Sequence, residues 1–263
     1  MYSILEHYLS TNHILMIGMI VTFILTFFLL EHPFSFLPSD QGRACAVNGS
    51  LSKGKLRGVG FIFVLCFLIS SVLFLPIDVE YVIYAILLFA MMISGYLDDA
   101  AKTPWNEYKK GLIDLVISVV AVLTYMNFNS TTICFGADEI VIPKALFLIL
   151  GVILIWVSVN VTNCTDGVDG LCASLCSVTL LAFGVLFAPI LQKYAMANFL
   201  FLSVLFAYLY FNSSPSSMLM GDAGSRALGF YIAVIALKST HPFIYILLAA
   251  VMIVDGGIGL VKI

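Results

Sequence analysis

Residues 145–188 read ALFLILGVILIWVSV-NVTNCTDGVDG-LCASLCSVTLLAFGVLFA. Two uncharged runs, 145–159 and 171–188, enclose a polar segment at 160–170 with two amides, two hydroxyls, two carboxylates and two glycines. A helix rises about 1.5 Å per residue, so runs of this length approach the roughly 30 Å hydrocarbon core of a bilayer. The whole chain has the same character. Of its 263 residues, 62% are hydrophobic and 10% charged, with a mean hydropathy of +1.09. Soluble domains carry roughly 25% charged residues, so a water-facing globule is excluded. A transmembrane barrel would show alternating segments of about ten residues. The composition therefore predicts an all-α, polytopic integral membrane bundle, since only helices satisfy their own backbone groups segment by segment in lipid.

Outward from that segment, nine apolar spans are expected, at 14–30, 59–75, 79–97, 112–126, 145–159, 171–188, 194–211, 227–237 and 243–263, in a single domain covering 1–263. The eighth is short and must borrow residues 223–226. The ninth is interrupted at Asp255-Gly256-Gly257, which suggests unwound backbone or a carboxylate facing a cavity. Nine spans alternate sides. One set of connections holds Arg43, Lys53, Lys55, Arg57, Lys102, Lys109, Lys110, Arg226 and Lys262; the other holds Lys144, Lys193 and Lys238. Nine against three puts the first set in the cytoplasm and the N-terminus outside. The residues before position 14 lack the Lys or Arg that opens a secretory signal peptide. A net charge of −3 gives no nucleic-acid footprint. Cys66, Cys172 and Cys176 fall in apolar runs, Cys45 and Cys164 on the cytoplasmic side and Cys134 opposite, so no disulfide framework or metal pair is expected.

The cytoplasmic connections hold four polar clusters. Asp98 and Asp99 close the third span, where they oppose the negative end of the helix macrodipole and repel each other. Lys102 or a divalent ion would compensate them, and an all-oxygen set suits Mg²⁺. In the second cluster, Asp166 and Asp169 share a face if their turn is helical, and Asn160 and Asn163 offer amides that can read a nucleobase. The plainer reading makes Asp169 the N-cap of the next helix. Met220-Gly221-Asp222-Ala223-Gly224-Ser225-Arg226 opens the eighth span, as a cap or as a metal and phosphate site. The fourth, 38–60, carries Asp40, Arg43, Lys53, Lys55 and Arg57, a basic loop that suits diphosphate or lipid headgroups. Acids and bases gathered at one face beside lipid fit transfer between a membrane-bound phosphate and a soluble phosphorylated donor, chemistry that rests on positioning and charge neutralisation. A transporter using Asp114 and Asp255 is the competing class, but it calls for repeats and a mid-membrane site that the sequence lacks.

At these residues the chain resembles the polyprenyl-phosphate N-acetylhexosamine-1-phosphate transferases. Gly95-Tyr96-Leu97-Asp98-Asp99 resembles the family's first acidic motif. Residues 160–170 match its Asn-x-x-Asn-x-x-Asp-Gly-x-Asp-Gly signature, and 220–225 match its third motif. Thr165 and Ala227-Leu228-Gly229 are closer to the branch that uses a phospho-N-acetylmuramoyl-pentapeptide donor. The resemblance implies Mg²⁺, UDP-MurNAc-pentapeptide and undecaprenyl phosphate as substrates, lipid I and UMP as products, a bacterial plasma membrane, ten helices with both ends outside, and a homodimer. A UDP-GlcNAc-using relative of another surface-polymer pathway is the alternative. By position, Asp222 and Asp99 would bind metal, and Asp98, Asp99 and Asp222 would be catalytic, with Asp98 the base for the lipid phosphate and direct attack or a covalent aspartyl route as the alternatives. Asn163, Asp166 and Asp169 would meet the nucleoside side, Asn160 would support the turn, and Gly221, Lys102 and Lys53 would complete the substrate-binding set. Lys53-Gly-Lys-Leu-Arg-Gly-Val-Gly replaces the branch's usual Thr-Pro-Thr-Met-Gly-Gly, and Leu219 stands where an aromatic residue often stacks on the base. The family's histidine-rich motif is expected beyond Ile263.

Overall fold

A computed structural model describes the chain except Pro33, Gln41, residues 43–51, Pro104, Ala137, Lys262 and Ile263. The expectations for Arg43, Cys45 and Lys262 thus lie outside the described residues. In chain order the elements are α1 (Tyr2–Leu5), α2 (Thr11–Glu31), α3 (Gly60–Phe74), α4 (Val79–Asp99), α5 (Glu107–Phe128), β1 (Thr132–Phe135), β2 (Asp138–Val141) and α6 (Lys144–Thr165). They continue as α7 (Leu171–Leu186), α8 (Ala188–Leu191), α9 (Lys193–Asn212), α10 (Gly221–Lys238), α11 (Ile244–Leu248) and α12 (Ala250–Val261). Five helices, α2, α4, α5, α6 and α9, are long and apolar enough to cross a membrane, and α3 and α7 are shorter apolar helices. The protein is a helical membrane protein. The expectation of a purely α fold is corrected by the antiparallel hairpin β1–β2, which pairs Thr132 with Val141 and Phe135 with Asp138.

The helix at the centre is α10. Of its 18 residues, Gly221–Leu237 are all buried, and it leans on α4 and α6 with α3 and α7 also against it. Small residues make this possible. A Cβ on Gly95 of α4 would come within 2.3 Å of the Asp222 carbonyl oxygen, and one on Gly229 within 2.6 Å of the Ser158 carbonyl oxygen of α6. Close backbone approach over small residues is how helices gain contact in lipid, where no hydrophobic drive joins them. Ser158 adds a hydrogen bond from Oγ to the Gly229 carbonyl at 2.7 Å.

Two boundaries differ from expectation. The helix of the fifth span runs on to Thr165, so Asn160 and Asn163 are helical, not loop, residues. Their polarity is absorbed locally: Asn160 Nδ2 donates to the Trp156 carbonyl at 2.8 Å and Thr165 Oγ1 to that of Val161 at 2.9 Å. In the ninth span the break falls at Ala249, between α11 and α12, and the helix is unbroken through Asp255–Gly257. Asp255 lies on an exposed face, so it is not a cavity carboxylate. Gly256 has a packing reason instead, because a Cβ there would meet the Val161 carbonyl oxygen of α6 at 2.6 Å.

At one end of α4 and α10, Glu80 receives Lys238 Nζ at 3.0 Å on both carboxylate oxygens and Asn129 Nδ2 at 2.6 Å. Beside it Asp78 caps α4 through the Tyr81 N–H at 2.9 Å and pairs with Lys193. The five described cysteines, Cys66, Cys134, Cys164, Cys172 and Cys176, form no disulfide with one another.

Candidate active site

The other end of α4 and α10 gathers the motifs. Asp98 and Asp99 end α4, Asp222 opens α10, Asn163 lies in the last turn of α6 and Lys110 in the first turn of α5. The loop before α3 is held against the segment before α10 by backbone bonds: Leu219 N–H to the Leu56 carbonyl at 2.8 Å, and Val59 and Gly60 N–H to those of Leu219 and Met220 at 3.2 and 3.0 Å. That pairing places Arg57. Gly221, at φ 67°, is required where the strands of chain converge, since a Cβ would lie 2.3 Å from Asp99 Oδ2.

Arg57 reaches three carboxylates: Nε to Asp99 Oδ1 at 2.8 Å, Nη1 to Asp40 Oδ1 at 3.3 Å and Nη2 to Asp222 Oδ1 at 3.4 Å. Burial alone would lower the guanidinium's pKa, but Asp99, Asp222 and Asp40 outweigh it and hold it above its ordinary value. It is cationic at every working pH. Lys110 Nζ lies 2.6 Å from Asp98 Oδ2, 3.4 Å from Asp222 Oδ2 and 3.7 Å from Glu107. Asp98 also accepts the Trp105 N–H at 2.7 Å, and Asp99 that of Ala223 at 3.1 Å. Asn163 Nδ2 approaches Asp222 Oδ2 at 3.4 Å while its Oδ1 accepts from Ser225 Oγ at 3.1 Å. Four aspartates, Asp40, Asp98, Asp99 and Asp222, therefore meet two bases. The contacts to Asp222 are long for hydrogen bonds, which leaves its oxygens able to take further partners.

A second arm continues from this cluster. Asp169 accepts from Ser216 N–H at 2.9 Å and Oγ at 2.8 Å, with Lys55 Nζ 3.9 Å away and bonded to Ser216 Oγ at 2.9 Å. Asn212 ties the arm together, accepting the Gly170 N–H at 3.0 Å and donating to the Met218 carbonyl at 2.9 Å. Asp166 is the C-cap of α6 and Gly170, at φ 75°, the N-cap of α7. The turn between them is not helical, so Asp166 and Asp169 do not form a helical face, and Asp169 is not a cap. Between α5, α6 and α10 lies a cavity of about 200 Å³ lined by Lys110, Asp114, Trp156, Asn160, Asn163 and Arg226 among others.

The structure thus brings Asp98, Asp99, Gly221, Asp222 and Asn163 together, puts Asn160 on the adjoining cavity and Asp169 on the second arm. Lys102 and Lys53 are exposed and form no ion pair among the described residues. The acids are compensated by Lys110 and Arg57, not Lys102, and Lys55 lies beside Asp169. One signal pointed to Lys110: a cation in the first turn of a helix opposes the macrodipole and needs an anion nearby.

Donor chemistry suits a hard cation, for Asp99 and Asp222 supply carboxylate oxygens only. Among the described residues no three His, Cys, Asp or Glu side chains form a ready cage.

Residues 81–240 match the family described as glycosyl transferase family 4. The chain belongs to this family. It is similar to proteins named phospho-N-acetylmuramoyl-pentapeptide-transferase: 35% identical to one from Treponema pallidum over 94% of this chain and 74% of that protein. One from Halalkalibacterium halodurans is 28% identical over 93% of this chain and 81% of its own length, and one from Dictyoglomus turgidum is 25% identical over 92% and 80%. The chain is therefore an enzyme, a membrane-embedded transferase. The transporter reading falls with this, since Asp114 is bonded to Arg226 and Asp255 faces outward.

Proposed function

We propose that this transferase moves phospho-N-acetylmuramoyl-pentapeptide from its UDP carrier to undecaprenyl phosphate, releasing UMP and forming lipid I. One observation carries the reading: in a glycosyl transferase family member similar to proteins of that name, α4 and α10 bring Asp98, Asp99 and Asp222 against Arg57, Lys110 and Asn163. Asp99 and Asp222 would hold Mg²⁺, which when bound neutralises phosphate charge and orients the diphosphate. Asp98, paired with Lys110, takes the proton of the lipid phosphate as it attacks the sugar-side phosphorus of the donor. Arg57, always cationic, faces the charge on the leaving UMP. The arm of Asp169, Ser216, Lys55 and Asn212 orients the nucleoside, with Asp166 and Gly167 at the turn.

Charge distribution supports a cytoplasmic site. Lys53, Lys55, Arg57, Lys102, Lys109 and Lys110 lie toward the acidic end, and Lys144, Lys193 and Lys238 toward the other. Nine spans and an outer N-terminus belong to the same reading through the apolar runs and their charge bias, and a homodimer through the resemblance.

The loop Lys53–Gly60 differs from the muramoyl pattern, which favours testing UDP-GlcNAc as the alternative donor. Purified enzyme with Mg²⁺ and undecaprenyl phosphate is given UDP-MurNAc-pentapeptide or UDP-GlcNAc, and UMP is quantified. UMP from the first donor alone is expected. UMP from the second alone moves the enzyme to another polymer, and none from either removes the proposal.

A further inference from the structure

Two ion pairs, one turn apart, join α5 to α10. Lys110 Nζ faces Asp222 Oδ2 at 3.4 Å, and Arg226 Nη2 donates to Asp114 Oδ1 at 2.5 Å. Positions 110 and 114 on α5, like 222 and 226 on α10, are four apart and so stack on one face of each helix. The polarity alternates. On α5 the cation lies above the anion, and on α10 the anion lies above the cation. Every charge then has an opposite charge both across the interface and along its own helix.

The lower pair is the more deeply placed, with Arg226 1% and Asp114 2% exposed. Arg226 Nη1 has no hydrogen-bond partner among the described residues. Stability does not account for such a pair, because well-packed apolar residues of similar volume are often as good or better in its place. α5 packs mainly on α6 and α4 and touches α10 little, so the two ion pairs are what links it to α10 directly.

We infer that Asp114 and Arg226 are positioning residues for the transfer reaction. They register α5 on α10 and surround Lys110 and Asp222 with opposite charge, so that Lys110 spans Asp98 and Asp222. The inference deepens the proposed function and rests on it for its kinetic half.

The first test is Asp114→Leu/Arg226→Met, an apolar pair. The expected result is a Tm at or above wild type, an unchanged KM for the donor and a kcat lowered about tenfold or more. Acylation of Lys110 by an N-hydroxysuccinimide ester, followed by mass spectrometry, should be faster than in wild type, since Lys110 loses the neighbouring Asp114 charge and keeps its bonds to Asp98 and Asp222. The swap Asp114→Arg/Arg226→Asp keeps a bridge but reverses its polarity, and should be as slow as the apolar pair. Arg226→Lys keeps the charge and should keep most of the turnover. If the apolar pair does not fold, the swap and Arg226→Lys decide between the outcomes. Wild-type kcat and Lys110 labelling in the folded apolar pair, or full turnover in the swap, would overturn the inference. If wild type itself releases no UMP, the functional reading is what fails, and the positioning role of Asp114 and Arg226 is judged on Lys110 labelling alone.

Discussion

The two ends of the α4–α10 pair carry charge in opposite styles. At one end Glu80 sits in the first turn of α4 and Lys238 in the last turn of α10, each where the helix dipole favours it, and Asn129 closes the group. At the other, Asp98 and Asp99 end α4 against its dipole, Lys110 begins α5 against its own, and four aspartates share two bases. The first arrangement is what stability alone selects. The second is held in place by its surroundings at a cost in local preference, which is where function is expected.

The contrast can be broken most sharply at Asp222. Asp222→Asn should lower UMP release on the order of 10²–10³-fold, the scale of losing a group aimed at developing charge. Arg57→Lys should come next, about 10–100-fold, because a point charge cannot reach three carboxylates as a planar fork does; steady-state UMP release checks it. At the quiet end the effect should be on stability. Lys238→Met strands a buried Glu80 and should cost about 3–5 kcal/mol, seen as a lowered Tm, with turnover per folded molecule intact. Glu80→Gln added to it should recover much of that loss.

The smallest effect belongs to the exposed pair of Asp78 and Lys193. Partial burial raises the Asp78 pKa, but Lys193 and the Tyr81 N–H outweigh this and hold it below the usual carboxylate range. A folded pKa below the unfolded one means stabilisation above the unfolded value of about 3.9, lost as pH falls through the folded one. The Tm gap between wild type and Asp78→Asn should therefore be small at neutral pH and close in acid; a gap that persists there would show that the charge is not its source.

Much of this was legible in the linear sequence. The apolar runs marked the helices because lipid demands long uninterrupted segments, and residues 223–226 did extend the short eighth span. The acids of α4 and α10 stood out because carboxylates between apolar runs need a reason. What escaped was pairing at a distance. Lys102 is three residues from Asp99, yet Asp98 is met by Lys110 and Asp99 by Arg57, whose positions follow from how α5 and the loop before α3 dock. The end of α6 was misread because Asn160 and Thr165 look like a turn, whereas their side chains bond to carbonyls four residues back. The Asp114–Arg226 pair was invisible for the same reason as Arg57: its halves are 112 residues apart.

The most direct test is UMP release by Asp222→Asn beside wild type, at equal amounts of folded protein and matched Tm, with Mg²⁺, undecaprenyl phosphate and UDP-MurNAc-pentapeptide. Near-complete loss of UMP at an unchanged Tm is the predicted result. Wild-type release by the variant would contradict the assignment of catalysis to this end of α10.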